Sequence, residues 1–251
     1  MARKSDPEPK RRRPAKVADQ IKDWVVSQGL QKGDRLPGEA EMITRFAMSK
    51  GTIREAMRLL EGQGLIETRT GPGGGSFVGE VTEERARSLL GNYFYFKDLT
   101  VADIYQIRRV LEPEMVAQLA GTLSEPALAE LEDLISHYAE PAKSPEEERQ
   151  QHVDSLKFHA SLARQSDNPL LSFLIGFMAQ ILSDLTVYRK LYAPPNRELW
   201  ESGRNHQIQL IAALREGRGE DARLIMADHM ETAQRLMEAQ EAEVMKRFIA
   251  E

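Results

Sequence analysis

The 251-residue sequence predicts a mainly α-helical protein, with an N-terminal winged helix-turn-helix carrying a small β-hairpin wing and a C-terminal antiparallel bundle of about seven helices. Two observations predict this class. Three short amphipathic segments and a glycine-rich hairpin occupy about 65 residues near the N-terminus, which is the layout of a winged helix-turn-helix. After Thr82 the strand signal disappears, and a succession of amphipathic segments with recognisable starts and stops follows.

The distribution of charge changes at the boundary between the winged helix-turn-helix and the helical part, near residue 80. Residues 1–80 carry a formal charge of +4 and the remainder carries −9. We therefore expect only the N-terminal part to meet a polyanion. The sequence predicts a basic flexible tail at 1–14, a winged helix-turn-helix at 15–80 and an all-helical domain at 81–251.

The composition excludes several classes of chemistry. The chain has no cysteine, which excludes disulfides, thiolate zinc sites and cysteine nucleophiles. The N-terminal segment lacks the apolar stretch of a signal peptide, and no window offers the roughly 18 uninterrupted apolar residues of a membrane span. We expect a soluble, cytoplasmic protein without a membrane partner.

The N-terminal module begins with a helix whose apolar face is formed by Val17, Ile21, Trp24 and Val25. Pro37 is placed to begin a second, short helix with acidic residues in its first turn. The tripeptide Ala47-Met48-Ser49 then forms a tight turn, in which Ser49 caps a third helix. The inward face of this third helix consists of Ile53, Ala56, Met57 and Leu60.

A hairpin and a series of helices complete the predicted elements. The segments 65–70 and 76–78 are expected to pair as antiparallel strands around a glycine-rich tip at 71–75. Caps and breaks then predict helices near 82–96, 100–122, 125–139, 145–166, 169–192, 197–216 and 219–247. The segment that starts at Leu170 is apolar over most of its circumference, so we expect it to form the buried centre of the bundle.

The third helix presents a basic face opposite its apolar face, formed by Lys50, Gly51, Arg54 and Arg58. One interpretation is an ordinary solvated surface. The other is a DNA-binding face, favoured by the preceding turn and by the wing, where Arg69 lies beside glycines that can approach a phosphate backbone. Phosphate contacts would then fix the register, while side chains near the helix N-terminus reach base edges in the major groove.

The run GDRLPGEAEMITRFAMSKGTIREAMRLLEGQGLIETRTGPGGGSFV, residues 33–78, resembles the DNA-binding domain of the GntR family of bacterial transcription regulators. The resemblance implies that DNA is contacted by Arg35, Arg45, Ser49, Lys50, Thr52, Arg54, Gly73, Gly74 and Gly75. Two departures stand out: Gly38 replaces the usual Ser, and Lys50-Gly51 replaces a more common Arg-Thr pair. Lysine lacks the bidentate fork of arginine, so the base preference at that position is less predictable.

The C-terminal half resembles the FadR-type ligand-sensing domain, FCD, of the same family, through IYQIRRVLEPEMVAQLA, FHASLARQSDNPLL and AALREGRGEDARLIMADH. The resemblance implies a helical bundle that dimerises and holds a small effector, often a carboxylate, in a central cavity. Many such domains also hold a divalent metal through one Asp and three His. For this chain it implies at most one Zn, Ni or Mn ion, and no organic cofactor.

Arg108 is the candidate effector anchor. It falls on the apolar face that Ile104, Ile107, Leu111 and Met115 are expected to define, so its charge needs a partner. One interpretation pairs it with Glu112, one turn further along the helix. The other, which the family also implies, has Arg108 reach into a cavity and bind an effector carboxylate in two-pronged fashion.

The candidate metal ligands are only partly in register. His159 and His229 match family metal positions, but Ser155 stands at the position of the family Asp and Gln207 at that of the remaining His. Asp154 and His206 lie one residue away and require a π-bulge or local shift to reach the site. Alternatively, Arg108, Ser155, Gln207 and the two histidines hydrogen-bond the effector directly.

These observations predict a ligand-responsive, homodimeric transcription regulator that binds an inverted-repeat operator in double-stranded DNA. Repression is expected because a dimer on a promoter blocks it without further machinery. Effector binding is expected to reorient the DNA-binding modules through a linker at 79–87. Two alternatives are a metal-dependent hydrolase, which the irregular ligand spacing and the absence of a recognisable general base disfavour, and a constitutive architectural DNA-binding protein.

Overall fold

A computed structural model describes residues 12–250, with side chains described for 13–244. The chain divides after Leu89 into two compact units. The predicted basic tail lies largely outside the described residues. The described part of it differs from the prediction, since the first helix already begins at Arg12, within the segment expected to be flexible. Proline is tolerated in the first turn of a helix, where its missing N–H has no intrahelical partner, and Pro14 occupies such a place.

The first unit contains three helices, α1 (Arg12–Ser27), α2 (Glu39–Phe46) and α3 (Lys50–Gln63). The predicted turn between α2 and α3 is confirmed: Ala47 adopts a left-handed conformation, and the Ser49 hydroxyl accepts a hydrogen bond from the backbone N–H of Thr52. The three helices close over a core formed by Val17, Ala18, Ile21, Leu36, Met42, Ile53, Ala56, Leu60 and Ile66.

The wing is a two-stranded antiparallel sheet, β1 (Ile66–Arg69) and β2 (Gly75–Val78), in which Ile66 pairs with Val78 and Arg69 with Gly75. Arg35 adds an isolated bridge to Phe77. The mainly α-helical class, the winged helix-turn-helix and its hairpin are therefore confirmed.

The link between the units is shorter than the sequence suggested. Helix α4 (Glu83–Tyr95) begins four residues after Gly79 and contains the point of division between the units. Its first turn is held by the Thr82 hydroxyl, which accepts from the backbone N–H of Arg85. The expected linker at 79–87 is therefore helical over its second half.

Six further helices follow: α5 (Val101–Leu119), α6 (Glu125–Ser136), α7 (Pro145–Ala163), α8 (Pro169–Tyr188), α9 (Arg197–Arg215) and α10 (Gly219–Ala250). With α4 they make the seven predicted helices of the described chain. Side-chain caps at Thr100, Ser124, Ser144, Asn168 and Asn196 accept hydrogen bonds from the following first turns, which explains why the sequence signals placed these starts correctly.

Helix α5 packs along α10 and against α8, while α7 packs on α8 and α6. The expectation that α8 forms the buried centre of the bundle is wrong. Ile175 and Leu182 are buried, but Leu170 and Tyr188 are 64% and 80% exposed. The apolar circumference of α8 therefore reflects one face in the core and a second apolar face that the rest of the chain leaves uncovered.

Within the described part of the chain, α8 is long and apolar enough to cross a membrane, judged by its length and composition alone. In this fold its segment from Ile175 to Ala179 is buried among the other helices. A helix with one face in the core and a second apolar face on the surface has the same composition.

Gly74 sets the shape of the wing tip, and its replacement by alanine provides a test of the hairpin. An added Cβ would lie 2.5 Å from the Arg69 carbonyl oxygen and 2.9 Å from that of Gly71. We expect Gly74→Ala to strain the wing by about 1–3 kcal/mol and to raise amide hydrogen exchange across 66–78. The matched control is Gly62→Ala in α3, where nothing lies within 4 Å of the new methyl group. Unchanged exchange in Gly74→Ala would contradict this account of the wing.

Candidate functional site

The basic face of α3 is exposed and is organised by one acidic residue. Glu39, at the start of α2, accepts from Arg54 Nε at 2.5 Å and lies 3.1 Å from Lys50 Nζ. These two hydrogen bonds, with that from Arg54 the stronger, hold the pKa of Glu39 below its usual value. Sequence reasoning recognised Glu39 only as a first-turn acid. The structure shows that it fixes the directions of two candidate DNA contacts.

The other candidate contacts of the helix-turn-helix lie around this pair. The Ser49 and Thr52 hydroxyls are 2.9 Å apart at the N-terminus of α3 and hydrogen-bond to each other. Ser49 also caps the helix by accepting from the Thr52 backbone N–H. Arg45 pairs with Glu41 at 3.0 Å and lies over the Trp24 ring, 4.8 Å from its centroid. Ser49, Lys50, Thr52 and Arg54 therefore share the N-terminal end of α3, whereas Arg45 is held at the end of α2 against Trp24.

The wing is tied to the loop before α2. Arg35 Nη2 donates to the Gly74 carbonyl at 2.7 Å, so the side chain braces the wing tip. Gly73 and Gly75 have positive φ angles of 81° and 148°, which side chains rarely adopt. Arg69 pairs with Glu67 and lies over the Phe77 ring, with 4.4 Å between the guanidinium carbon and the ring centroid.

All these arginine and lysine pairs are exposed, with side chains that retain between about a third and two thirds of their accessible surface. Exposed ion pairs contribute little to stability, because water screens them. Phosphate oxygens can therefore replace the carboxylates of Glu39, Glu41 and Glu67 at little cost. The cationic side chains are therefore already oriented on this surface before DNA binds.

The helical unit contains a partly open cavity of about 60 Å³ between α5, α7, α9 and α10. One ordered water occupies about 10–15 Å³, so the space has room for a small ligand. Its polar lining includes Tyr105 and Arg108 of α5, Ser155 and His159 of α7, and His229 of α10.

A chain of buried hydrogen bonds runs through this lining. Glu112, fully buried, accepts from Arg108 Nε at 2.5 Å with one oxygen and lies 2.6 Å from His159 Nδ1 with the other. His159 Nε2 lies 3.2 Å from His229 Nε2, and the two rings stack. A carboxylate accepts only, so His159 donates through Nδ1 and accepts at Nε2 from the Nε2–H of His229. Glu112 thereby fixes both tautomers.

The titration behaviour follows from burial. Burial lowers the pKa of His159 and, together with the neighbouring histidines and Arg108, lowers that of His229 well below its usual value. Burial alone would raise the pKa of Glu112, but the charge of Arg108 and the hydrogen bonds from Arg108 and His159 hold it far below its usual value. The cavity at neutral pH therefore contains neutral imidazoles and one buried Arg–Glu ion pair.

The contacts of Arg108 agree in part with each of the two interpretations of its sequence position. Its Nε is used by Glu112, as the structural interpretation holds. Its Nη2 is buried and has no hydrogen-bond partner among the described residues. A buried guanidinium N–H without an acceptor costs about 1–3 kcal/mol or more, so this atom favours a ligand that brings an anionic oxygen.

Ser155 and Gln207 also meet in the bundle. The Gln207 side chain is completely buried, accepts from Tyr138 Oη at 2.8 Å, and donates through Nε2 to the Ser155 hydroxyl at 3.3 Å. Burial raises the pKa of Tyr138, which keeps the phenol protonated as the donor. The two neutral side chains at the expected Asp and His positions thus satisfy each other.

The remaining metal candidates have partners of their own. Asp154 accepts from Gln150 and from Lys157, the latter at 2.7 Å, and His206 Nε2 lies 2.7 Å from Asp228. Helices α7 and α9 are regular throughout. Asp154 is buried without a bulge, and the His206 ring lies 5.3 Å from that of His229. Among the side chains that the structure describes, no group of three or more His, Cys, Asp or Glu is placed to hold a metal ion. Since protein zinc sites use three or four ligands, His159 and His229 alone do not fit one.

Sequence reasoning missed part of the cavity wall. Glu148, Gln151 and His152 line it from the first half of α7, and Trp200 lines it from α9. The sequence does contain a pattern that indicates these residues. With Ser155 and His159, the residues at 148 and 152 recur at helical spacing, so polar side chains form one continuous face of α7.

The buried histidines predict a specific dependence of stability on pH. Burial lowers the pKa of His152 to about 4, so below pH 6.5 the unfolded chain binds protons that the folded chain does not. The free energy of unfolding should therefore fall between pH 6.5 and about 4, with His152 contributing roughly 1 kcal/mol at pH 5.5. Urea unfolding at pH 7.5 and 5.5 measures this difference.

The variant His152→Gln should reduce that pH dependence, whereas His137→Gln should leave it unchanged, because His137 is exposed beside Asp133. An equal pH dependence in wild type and His152→Gln would show that the His152 ring titrates normally in the folded protein.

Two family models match the chain. "Bacterial regulatory proteins, gntR family" matches residues 14–78, and "FCD domain" matches residues 103–232. The FCD match alone spans about half of the chain. The two matched segments contain all the candidate DNA-binding and cavity residues described above.

Similar proteins agree with this assignment. The chain is 27% identical over 185 residues to the Glc operon transcriptional activator of Escherichia coli K12, covering 72% of this chain and 69% of that protein. It is 23% identical over 209 residues to the transcriptional regulator LutR of Bacillus subtilis, covering 80% and 90% of the two chains. A solved GntR structure from Streptococcus agalactiae shares the fold, with a TM-score of 0.57 at 21% identity over 88% of this chain and 99% of that one. The chain therefore belongs to the GntR family of bacterial regulatory proteins, and it is a DNA-binding transcription regulator with an FCD domain, not an enzyme.

Proposed function

We propose that this regulator changes its DNA affinity when a small carboxylate enters the cavity of the helical unit and binds Arg108. The observation that carries the proposal is the unpartnered, buried Nη2 of Arg108. Arginine presents parallel N–H groups that match a carboxylate, and such charge-assisted hydrogen bonds are the strong ones in proteins. Glu112 already holds the other side of the guanidinium, so the site is pre-organised.

The effector is held by protein groups directly, without a bridging metal ion. The neutral pair of Ser155 and Gln207 supports this, since it stands where a metal site needs an anion and an imidazole. Arg108 supplies the positive charge that a metal would otherwise provide. His229 adds a polar group at the same wall of the cavity.

The DNA-binding surface consists of the exposed end of α3 and the wing. When DNA binds, Arg54 and Lys50 exchange their ion pairs with Glu39 for contacts with phosphates and base edges in the major groove. Ser49 and Thr52 contact phosphates, and the glycines of the wing tip let the backbone approach the duplex closely. Release of counterions from those phosphates makes binding weaken steeply with salt.

The active species is a homodimer on an inverted-repeat operator. Support comes from the apolar surface left uncovered at the end of α4 and along α8, where Tyr93, Phe96, Leu170 and Tyr188 are all more than half exposed. Patches of this kind in soluble proteins mark interfaces. A two-fold dimer requires two half-sites related by the same axis.

We further propose that the dimer represses its promoter in the bacterial cytoplasm. A protein that covers a promoter excludes the polymerase without any additional contact, which makes repression the simpler mechanism. The E. coli relative is named an activator, so a promoter–reporter fusion with and without the gene decides the sign. Higher expression without the gene is the expected result.

Arg54→Ala tests the DNA-binding surface. Loss of one arginine that contacts a base edge costs about 1–3 kcal/mol, so we expect specific affinity for duplex from the gene's own upstream region to fall by about 5-fold to 150-fold. Fluorescence anisotropy at fixed salt measures the affinity, and sedimentation velocity checks that the dimer is intact. Lys22→Ala, which removes a cation on α1, is the control. Wild-type affinity in Arg54→Ala would contradict the assignment.

Arg108→Lys tests the effector site. Alanine is unsuitable here, because it leaves Glu112 buried without its partner at a cost of about 3–5 kcal/mol. Lysine keeps the charge for Glu112 but lacks the planar fork of parallel N–H groups that matches a carboxylate. We expect operator affinity without effector to be unchanged and the effector-dependent shift to be lost. The anisotropy titration uses the carboxylate that shifts wild-type affinity in a screen.

The matched control is Arg109→Lys, because Arg109 is the exposed neighbour whose Nη1 donates to the Gln234 side chain. A full effector response in Arg108→Lys would show that the ligand binds elsewhere.

The wild-type response should also survive dialysis against EDTA, because the effector is held without a metal ion. A response that disappears with the chelator and returns with Zn²⁺ would contradict direct binding.

A further inference from the structure

The net positive charge of the DNA-binding unit comes from its N-terminal end. Residues 3–16, named here the basic segment, contain seven Lys and Arg and two acidic residues, which gives a formal charge of +5. Residues 17–80, which form nearly all of the winged helix-turn-helix, contain eight Lys and Arg and nine Asp and Glu, which gives −1. Without the basic segment, the module that must bind a polyanion therefore has no net positive charge to attract it.

The cations on the exposed end of α3, on α2 and on the wing are also offset locally. Four of the candidate DNA contacts are held by carboxylates of the same unit, in the pairs Lys50–Glu39, Arg54–Glu39, Arg45–Glu41 and Arg69–Glu67. When these cations turn to phosphates, the carboxylates remain beside the duplex and repel it. The folded surface is therefore suited to fix the register and select bases, but its own acids weaken its attraction for the DNA backbone.

The start of α1 breaks the usual rule for charge at helix ends. The N-terminus of a helix carries partial positive charge, which favours acidic residues in the first turn and disfavours cations. The first turn of α1 has no acidic residue. It contains Arg12 and Arg13 instead, directly after Arg11. This arrangement is unfavourable in the free protein, and an anion such as a DNA phosphate offsets it.

The C-terminal end of the basic segment is attached to the core of the DNA-binding unit. Pro14 is buried, whereas Arg13 beside it is exposed. Val17 and Ala18, one turn later, belong to the core, and α1 packs against α3. The basic segment is thus anchored to the same unit as the basic face of α3, with cationic side chains at the surface.

The chain ahead of α1 is long enough to reach additional phosphates. Trp24, which contacts Arg45 near the end of α2, follows Arg13 by eleven residues. This separation corresponds to about 17 Å along the helix. Nine residues, 3–11, span at most about 30 Å when fully extended. The cations of the basic segment are therefore within covalent reach of backbone beyond the part that α3 and the wing contact.

We propose that the basic segment is a second DNA-binding element, which binds backbone phosphates next to the half-site and supplies most of the net electrostatic attraction for DNA. Most of it precedes residue 14, where the match to the family's DNA-binding domain begins. Phosphate contacts carry no base information, so this segment strengthens binding to any duplex, while α3 selects the operator. The inference rests on the proposed DNA-binding surface and is independent of the effector.

A combined variant, Arg11→Gln, Arg12→Gln and Arg13→Gln, tests the inference. Fluorescence anisotropy measures the affinity of the full-length protein for two duplexes, one from the gene's own upstream region and one with the same bases in shuffled order. Each phosphate contact adds about 0.9 to the slope of log affinity against log salt. If two or three contacts are lost, the affinity ratio of wild type to variant should grow about 10- to 40-fold as salt falls from 200 to 50 mM, on both duplexes.

A matched control separates contact from overall charge. The combined variant Lys143→Gln, Lys190→Gln and Arg197→Gln changes the net charge by the same amount at exposed positions of the helical unit. It should keep the wild-type salt dependence. An equal loss in this control would show that only the net charge of the protein matters, which would overturn a role for the basic segment.

A charge-conserving variant keeps the test valid if the glutamine variant folds poorly. Arg11→Lys, Arg12→Lys and Arg13→Lys, combined, retain three cations and should retain the wild-type salt dependence, because phosphate contacts depend chiefly on charge. Thermal unfolding checks that both variants are folded. A lysine variant that is folded but has the reduced salt dependence expected for the glutamine variant would contradict binding through phosphate charge.

The remaining outcomes separate this inference from the DNA-binding surface on which it rests. An unchanged salt dependence in the glutamine variant would overturn the inference, and tighter binding would place the segment on the protein's own acidic residues. A loss confined to the upstream duplex would show that the segment reads bases instead. Arg54→Ala should weaken binding to the upstream duplex more than to the shuffled one. If wild type binds neither duplex, the proposed DNA-binding surface is itself wrong, and the inference falls with it.

Discussion

The buried carboxylate of Glu112 is the interaction on which the helical unit depends. Its two oxygens bind Arg108 and His159 simultaneously, so one side chain from α5 fixes a guanidinium on its own helix and an imidazole on α7. Through His159 it also sets the tautomer of His229 on α10. A buried ion pair contributes little net stability. Its effect here is to hold one side of the guanidinium and leave Nη2 without a hydrogen-bond partner among the described residues.

The two units use charge in opposite ways. Around α3 the ion pairs of Lys50, Arg54 and Arg45 are exposed, weak and exchangeable, so phosphates can replace the carboxylates without a large penalty. In the bundle, the pair of Arg108 and Glu112 is desolvated and cannot exchange with water. A surface that must bind and release DNA and a cavity that must recognise one small ligand require these different environments. A ligand can shift DNA affinity only by its differential affinity for the two states.

The fold was predictable because its signals are local. Caps such as Ser49 and Ser144 and the turn Ala47-Met48-Ser49 lie within a few residues of the boundaries that they set. The burial of α8 was predicted wrongly because an apolar helix face looks the same in sequence whether this chain or a partner covers it. The site was only partly predictable. The role of Glu39 depends on Arg54, a residue 15 positions away, which no helical period connects to it.

A crystal structure of the protein with a small carboxylate that shifts its DNA affinity would show directly whether Arg108 binds the effector. We expect electron density for the acid in the cavity of the helical unit, with a carboxylate oxygen within hydrogen-bond distance of Arg108 Nη2 and Glu112 still bound to Nε. Density for the acid at any other place, or a protein group that occupies Nη2 in the liganded state, would contradict it.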